Sequence, residues 1–206
     1  MVIGWWSKRQ MDRLGLSALL ANRPANALPP DVVDLWFLYR QVRKRKPRCI
    51  LEFGAGCSTV IMAQALSDNG NGGHLYSVDA VPYWAQATFD ALPAHLRDSC
   101  SISSSEIVVV DYNGSRVLRH AQVPDVTPDF VYLDGPDFAS FADRAIREAA
   151  CDPLDLERHV GPAFFMVVDG RMENRKFLQE NLRRKYAISN RWPFQHWKTA
   201  VYELIS

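Results

Sequence analysis

The sequence predicts an α/β protein, a doubly wound and mostly parallel sheet with helices on both faces. Three observations carry this. Short apolar runs recur along the chain and end in an acid or a glycine: Cys49–Phe53, His74–Asp79, Phe130–Asp134 and Phe164–Asp169. Stretches with helical spacing lie between them, as a parallel sheet requires of its crossovers. The last two apolar runs, Tyr186–Trp192 and Thr199–Ile205, have no helix between them, so they pair antiparallel at the end of the sheet.

The elements follow in order. Residues 1–28 read as a helical lead-in, with Met11, Leu14 and Ala18 on one face and a break at Arg23-Pro24-Ala25-Asn26. Residues 29–206 read as one domain. Pro29-Pro30-Asp31 starts a helix with a broad apolar face of Val32, Val33, Leu35, Trp36, Leu38, Tyr39 and Val42. Its basic end, Arg43-Lys44-Arg45-Lys46, suits the negative pole of the helix. A strand at Cys49–Phe53 meets the turn Gly54-Ala55-Gly56, and Val60–Leu66 continues as a helix. His74–Asp79 is the second strand, Pro82–Leu92 a helix and Cys100–Ser105 the third strand. Asn113-Gly114 between Ile107–Val110 and Arg116–Leu118 predicts an antiparallel hairpin inserted into the fold. Phe130–Asp134 is a buried strand. Phe138–Cys151 reads as a helix that Pro153 breaks, Phe164–Asp169 as a strand and Glu173–Lys185 as an amphipathic helix.

The composition fits one soluble domain: 206 residues, 48% hydrophobic and 23% charged. A formal charge of +1 gives no field that would draw the whole chain to nucleic acid or to a membrane surface. The four cysteines form no CxxC pair, which points to reduced thiols and a cytoplasmic setting. No apolar run approaches the roughly 20 residues of a membrane span. Trp5 and Trp6 are expected to pack on the domain.

Chemistry concentrates at the carboxyl ends of the strands, where open α/β sheets bind ligands. Glycine permits a tight turn or close ligand approach, and the following helix start attracts negative charge. The third position of a dinucleotide fingerprint would be Thr59, which is not small, so a pyrophosphate cofactor fits poorly. Asp79 closes the second strand at the spacing where a carboxylate holds two ribose hydroxyls. Glu52, inside the first strand's end, is costly to bury without a partner, and a ligand's ammonium group would supply one. Asp134 and Asp169 end two further strands. His196, among Trp192, Phe194 and Trp197, is a third candidate base in an aromatic wall. His74, His95, His120 and His159 have no partner pattern and read as structural or surface residues. Arg171 could pair with either strand-end acid or with an acidic acceptor.

Ile50–Thr59 followed by Ser77-Val78-Asp79, then Asp129–Pro136 and Val167–Arg171, resembles the motif series of the class I S-adenosylmethionine-dependent methyltransferases, over about residues 30–206. The resemblance implies a Rossmann-like, seven-stranded, three-layer α/β/α fold. It implies S-adenosylmethionine as cofactor, with Glu52, Gly54, Ala55, Gly56, Ser58, Asp79, Ala80 and Asp134 around it. Asp134, Asp169 and His196 are then the candidate catalytic residues, and a small molecule the acceptor. Some O-methyltransferases of this family hold a divalent cation on two such acids and an asparagine. Gly170 stands where the asparagine would be, so no metal is assigned. Two other readings stay open: a cofactor-binding module without turnover, and a dinucleotide-dependent oxidoreductase. No Asn-Pro-Pro-Tyr-type motif or basic, aromatic-interleaved face points to nucleic acid.

Overall fold

The computed structural model describes residues 2–137, 146–190 and 199–205. The chain begins with α1 (Val2–Arg13). Gly15, in the left-handed region, turns it into the short α2 (Leu16–Leu19). Helix α3 (Val32–Arg45) starts where the sequence places it. Asp31 Oδ1 accepts from the Val33 N–H at 2.9 Å and caps the first turn. Strand β1 (Cys49–Phe53), α4 (Cys57–Asn69), β2 (His74–Asp79), α5 (Pro82–Ala91) and β3 (Cys100–Ser104) follow. The inserted hairpin is β4 (Ile107–Tyr112) and β5 (Ser115–His120), turned at Asn113 (φ 51°) and Gly114 (φ 77°). Then come β6 (Phe130–Leu133), α6 (Asp152–Leu156), β7 (Phe165–Val168), α7 (Met172–Asn181), β8 (Tyr186–Asn190) and β9 (Ala200–Leu204).

Seven strands form the main sheet in the order β3-β2-β1-β6-β7-β9-β8, and β9 runs antiparallel to both its neighbours. The register fixes the functional edge. Phe53 pairs with Val78 and Leu133, and Leu133 pairs with Val168. Gly54, Asp79, Asp134 and Asp169 are the next residues, so they form one row at the carboxyl edge of four adjacent strands. Ladder bonds continue into that row: Gly54 N–H to Val78 O at 2.8 Å, Asp134 N–H to Phe53 O at 2.9 Å and Asp169 N–H to Leu133 O at 3.0 Å.

Two cores lie on opposite faces of the sheet. One packs Leu38, Val42, Ile61 and Met62 over Ile50 and Phe130, and it includes Met11 and Leu16 from the lead-in. The other packs Phe177, Leu178 and Leu154 with hairpin residue Val117 over Leu51, Phe53 and Met166. Trp6 meets Trp36 edge-on, with centroids 5.9 Å apart, and both Trp5 and Trp6 remain exposed. The basic end of α3 is tied into the fold: Arg43 bonds Asn69, and Arg45 pairs with Glu203 and lies over the Phe165 ring.

The expected helix 138–151 is corrected in its described part. Residues 146–151 are not helical. Leu118 N–H donates to Ala149 O and Cys151 N–H to Leu118 O, both at 2.9 Å, so this segment runs beside β5. The unpaired edge of the inserted hairpin supplies the partner that sequence periodicity cannot see. Residues 138–145 of that element lie outside the described residues. Pro153 does not end a helix but opens α6, because a proline in the first turn loses no helical bond. Helix α7 ends at Asn181, earlier than the apolar pattern suggests. Among the described residues, no helix is long and apolar enough to cross a membrane.

Candidate functional site

The strand-end row opens onto one cleft of about 1330 Å³. Its lining includes Gly54, Ala55, Gly56, Ser58, Asp79, Ala80, Asp134, Asp169 and Arg171. The lead-in supplies another wall through Leu19, Leu20, Arg23 and Leu28. Sequence reasoning gave that segment no place in the site. His196 and the neighbouring tail aromatics lie outside the described residues.

Glu52 does not line the cleft. It is fully buried beneath the glycine turn, and its two oxygens accept from the Ser58 and Thr59 hydroxyls at 2.5 Å each. The Thr59 hydroxyl in turn accepts the Gly56 N–H at 2.9 Å. The acid expected to meet a ligand ammonium is thus partnered from within the protein. It anchors the first turn of α4 to the end of β1. Burial pushes the Glu52 carboxyl up to about 7, with the two hydroxyls pulling the other way.

That shift has a sign that can be checked. The folded carboxyl, at about 7 against an ordinary 4.5, holds more proton than the unfolded one between those values. Stability contributed here is present below that window and falls as pH rises through it. Glu52→Gln stays neutral, and the Ser58 hydroxyl can reverse to accept from its amide. The variant's melting temperature relative to wild type should therefore improve from pH 5 to pH 8, by an equivalent on the order of 3 kcal/mol. A difference independent of pH in thermal melts would refute the assignment.

The turn consumes its own amides. Gly54 N–H goes to Val78 O, Ala55 N–H to Asp79 Oδ2 at 2.8 Å, and Gly56 N–H to Thr59. Asp79 Oδ1 also accepts the Val81 N–H at 2.7 Å. One carboxylate therefore ties the turn after β1 to the turn after β2, and keeps lone pairs for a ligand.

Across the cleft, the Asp169 carboxylate is ion-paired with the Arg171 guanidinium and accepts the Arg171 N–H. Arg171 also donates to the carbonyls of Gly135 and Pro136, pinning the loops after β6 and β7 together. Asp134 opens to the cleft, but protein crowds its other sides. That crowding, with the Asp169 charge beside it, raises its pKa, and Arg171 offsets part of the effect. Burial raises Asp169 as well, again against Arg171. Two like-charged carboxyls this close titrate as a pair.

These residues do not fit a divalent cation. Gly170 offers no side chain, and Asp169 already has its positive partner in Arg171. No group of three or more ligating side chains forms among the described residues.

His120 is the residue sequence reasoning missed. It lines the cleft at the end of β5, its side chain buried, and its Nδ1 lies 3.2 Å from Asp152 Oδ1. The same oxygen accepts the His120 backbone N–H at 2.9 Å. No spacing rule links the two, since they come from different elements 32 residues apart. The cysteines are poor nucleophiles here: burial pushes Cys49 up to about 11 and Cys100 and Cys151 up to about 12.

With sheet order, reversed β9 and cleft position established, solved structures of the same fold can be set beside the chain. A Klebsiella pneumoniae protein provisionally described as an O-methyltransferase matches with TM-score 0.60 at 16% identity, covering 98% of this chain and 97% of that one. The chain has the Rossmann-like fold of solved methyltransferases. The O-methyltransferase TomG from Streptomyces achromogenes, involved in tomaymycin synthesis and solved with S-adenosylmethionine, matches with TM-score 0.57 at 15% identity, covering 93% and 89%. A Bacillus cereus O-methyltransferase solved with S-adenosylhomocysteine gives TM-score 0.54 at 15% identity, covering 98% and 91%. No protein-family model and no curated protein matches the sequence.

Proposed function

We propose that this protein is an S-adenosylmethionine-dependent methyltransferase acting on a small-molecule acceptor. One observation carries the choice of cofactor. The three amides of the glycine turn, Gly54 to Gly56, all donate within the protein, so the turn is not a phosphate cradle. The charge of the cleft agrees. Its described lining carries seven carboxylic residues and two arginines, a balance that repels a pyrophosphate and suits a cationic sulfonium. The glycine turn still gives the backbone-close surface an extended ligand needs, and the lone pairs left on Asp79 suit a ribose diol.

In this reading Gly54, Ala55, Gly56 and Ser58 flank the methionine end, Asp79 and Ala80 the ribose, and Asp134 the reacting end. Glu52 acts through Ser58 and Thr59, by holding the turn in place. When bound, S-adenosylmethionine supplies the activated methyl carbon. The protein has to hold an acceptor hydroxyl or amine in line with it and take one proton. Asp134 suits that task, because its raised pKa brings a carboxylate closer to the working pH. Arg171 keeps Asp169 paired and fixes the loop on which Asp134 stands. Asp169 and His196 are the other candidate bases, and the Arg171 pairing makes Asp169 the weaker one.

Thermal melts with S-adenosylhomocysteine and with NAD test the reading. At 1 mM ligand, the first should raise the melting temperature by several degrees through linkage, and the second should leave it unchanged. Stabilisation by NAD alone would sink the proposal in favour of an oxidoreductase. Binding of S-adenosylhomocysteine without label transfer from S-adenosylmethionine to any acceptor in small-molecule extracts would favour a non-catalytic module.

A further inference from the structure

We propose that His120, with its tautomer set by Asp152, reads the purine of the cofactor by accepting a hydrogen bond at Nε2 from the exocyclic 6-amino group. The inference rests on the cofactor reading above. Two features place His120 at the purine end. The residues after it are stitched to those after β3: Ala121 N–H donates to Glu106 O, and Gln122 N–H to Ser105 Oγ, both at 2.8 Å. Ser105 N–H in turn donates to Asp79 O at 2.9 Å. His120 therefore stands toward the β2–β3 side of the cleft, the side that carries the acid assigned to the ribose. Asp134, Asp169 and Arg171 stand on the β6–β7 side. A nucleoside held by its ribose at Asp79, with its sulfonium toward Asp134, extends its base toward His120.

The ring is prepared for one kind of contact. Nδ1 faces the Asp152 carboxylate, which favours the tautomer with its hydrogen on Nδ1 and leaves Nε2 as an acceptor. Nε2 has no hydrogen-bond partner among the described residues, although His120 is 98% buried and lines the cleft. A buried acceptor without a donor is costly, and a ligand N–H relieves that cost. The Phe53 ring, with its centroid 5.3 Å from that of the imidazole, packs against it and fixes its tilt. An adenine presents an amino donor at position 6. A hypoxanthine presents a carbonyl oxygen there, which would meet Nε2 as acceptor against acceptor.

Calorimetric titration of the full chain with S-adenosylhomocysteine and with its 6-oxo analogue, S-inosylhomocysteine, tests this directly. Wild type should bind the adenosyl compound at least about tenfold more tightly, the loss expected when one hydrogen bond is replaced by an unmatched pair. His120→Leu should remove most of that preference, and His120→Gln, which can again present an acceptor, should restore part of it. Equal affinity of wild type for both compounds would overturn the inference, as would an unchanged preference in His120→Leu. The wild-type comparison needs no variant, so a poorly folding substitution leaves it decisive. If wild type binds neither compound, the cofactor reading fails, an outcome distinct from binding without discrimination.

Discussion

Gly54→Ala is expected to lower the melting temperature by roughly 6–12 °C, equivalent to about 3 kcal/mol, and to abolish binding of S-adenosylhomocysteine. Gly54 sits at φ 101°, in the region that L-residues avoid. A Cβ there would lie 3.1 Å from Asp134 O, 3.2 Å from Asp134 C and 3.3 Å from Gly135 N. All three contacts are backbone, so no rotamer change relieves them. Gly135 closes the same contact from the other side, with its own ideal Cβ 3.1 Å from Gly54 N and from Phe53 O. The turns after β1 and β6 thus cross at a point where neither tolerates a side chain. The crossing sets the distance between the cofactor turn and Asp134. Backbone strain and displaced loops both add to the cost. Gly56→Ala is the control. Its φ is 171°, ordinary extended backbone, and a Cβ there meets nothing within 4 Å. It should melt close to wild type without ligand. A Gly54→Ala protein melting within about 2 °C of wild type would rule out this account of the turn.

The contrast between these two glycines marks what the sequence can reveal. Both were visible as a turn after an apolar run, and both belong to the same motif. Only the fold reveals that one is required by a neighbouring strand 80 residues away. The sheet and its functional edge were legible for a related reason. Continuous apolar runs, buried on both faces of the sheet, and strand-end acids are local properties, and register carries Asp79, Asp134 and Asp169 into one row automatically. Thr59 was legible as a departure from the dinucleotide pattern, but not as the hydroxyl that takes the Gly56 amide and donates to Glu52. Glu52 itself was read as facing a ligand, because sequence does not reveal that two hydroxyls in the next turn are in reach. The Arg171–Asp169 pair was one of three open options, beside Asp134 and an acidic acceptor. His120 and Asp152 had no local signature at all, since their meeting depends on the inserted hairpin and on residues 146–151 running beside it. Local physics therefore disclosed where the site lies. Contacts across elements decide which of its groups remain available for a ligand.

Asp79→Ala follows from that distinction and should also weaken ligand binding strongly. The carboxylate does two jobs that sequence reasoning had reduced to one. It accepts the Ala55 and Val81 amides, at 2.8 and 2.7 Å, and so locks the two turns that form the cofactor's side of the cleft. Its remaining lone pairs are those assigned to the ribose. Removing it leaves two amides without their acceptor, at about 1–3 kcal/mol each where water cannot replace it. It also removes two charge-assisted bonds to a diol. Affinity for S-adenosylhomocysteine should fall by at least about 100-fold, and the thermal shift should vanish at 1 mM ligand. The ligand-free protein should melt several degrees lower. Asp79→Asn separates the two jobs. It keeps the side chain's size and one acceptor oxygen, but its amide must face one of the two backbone donors, so one turn is released while the other stays tied. Its melting temperature should lie between wild type and Asp79→Ala, with ligand affinity closer to that of the alanine variant, because a diol loses the charged partner in both. A ligand-induced shift in Asp79→Ala at least half that of wild type would separate Asp79 from the ribose and leave it only the task of joining the turns.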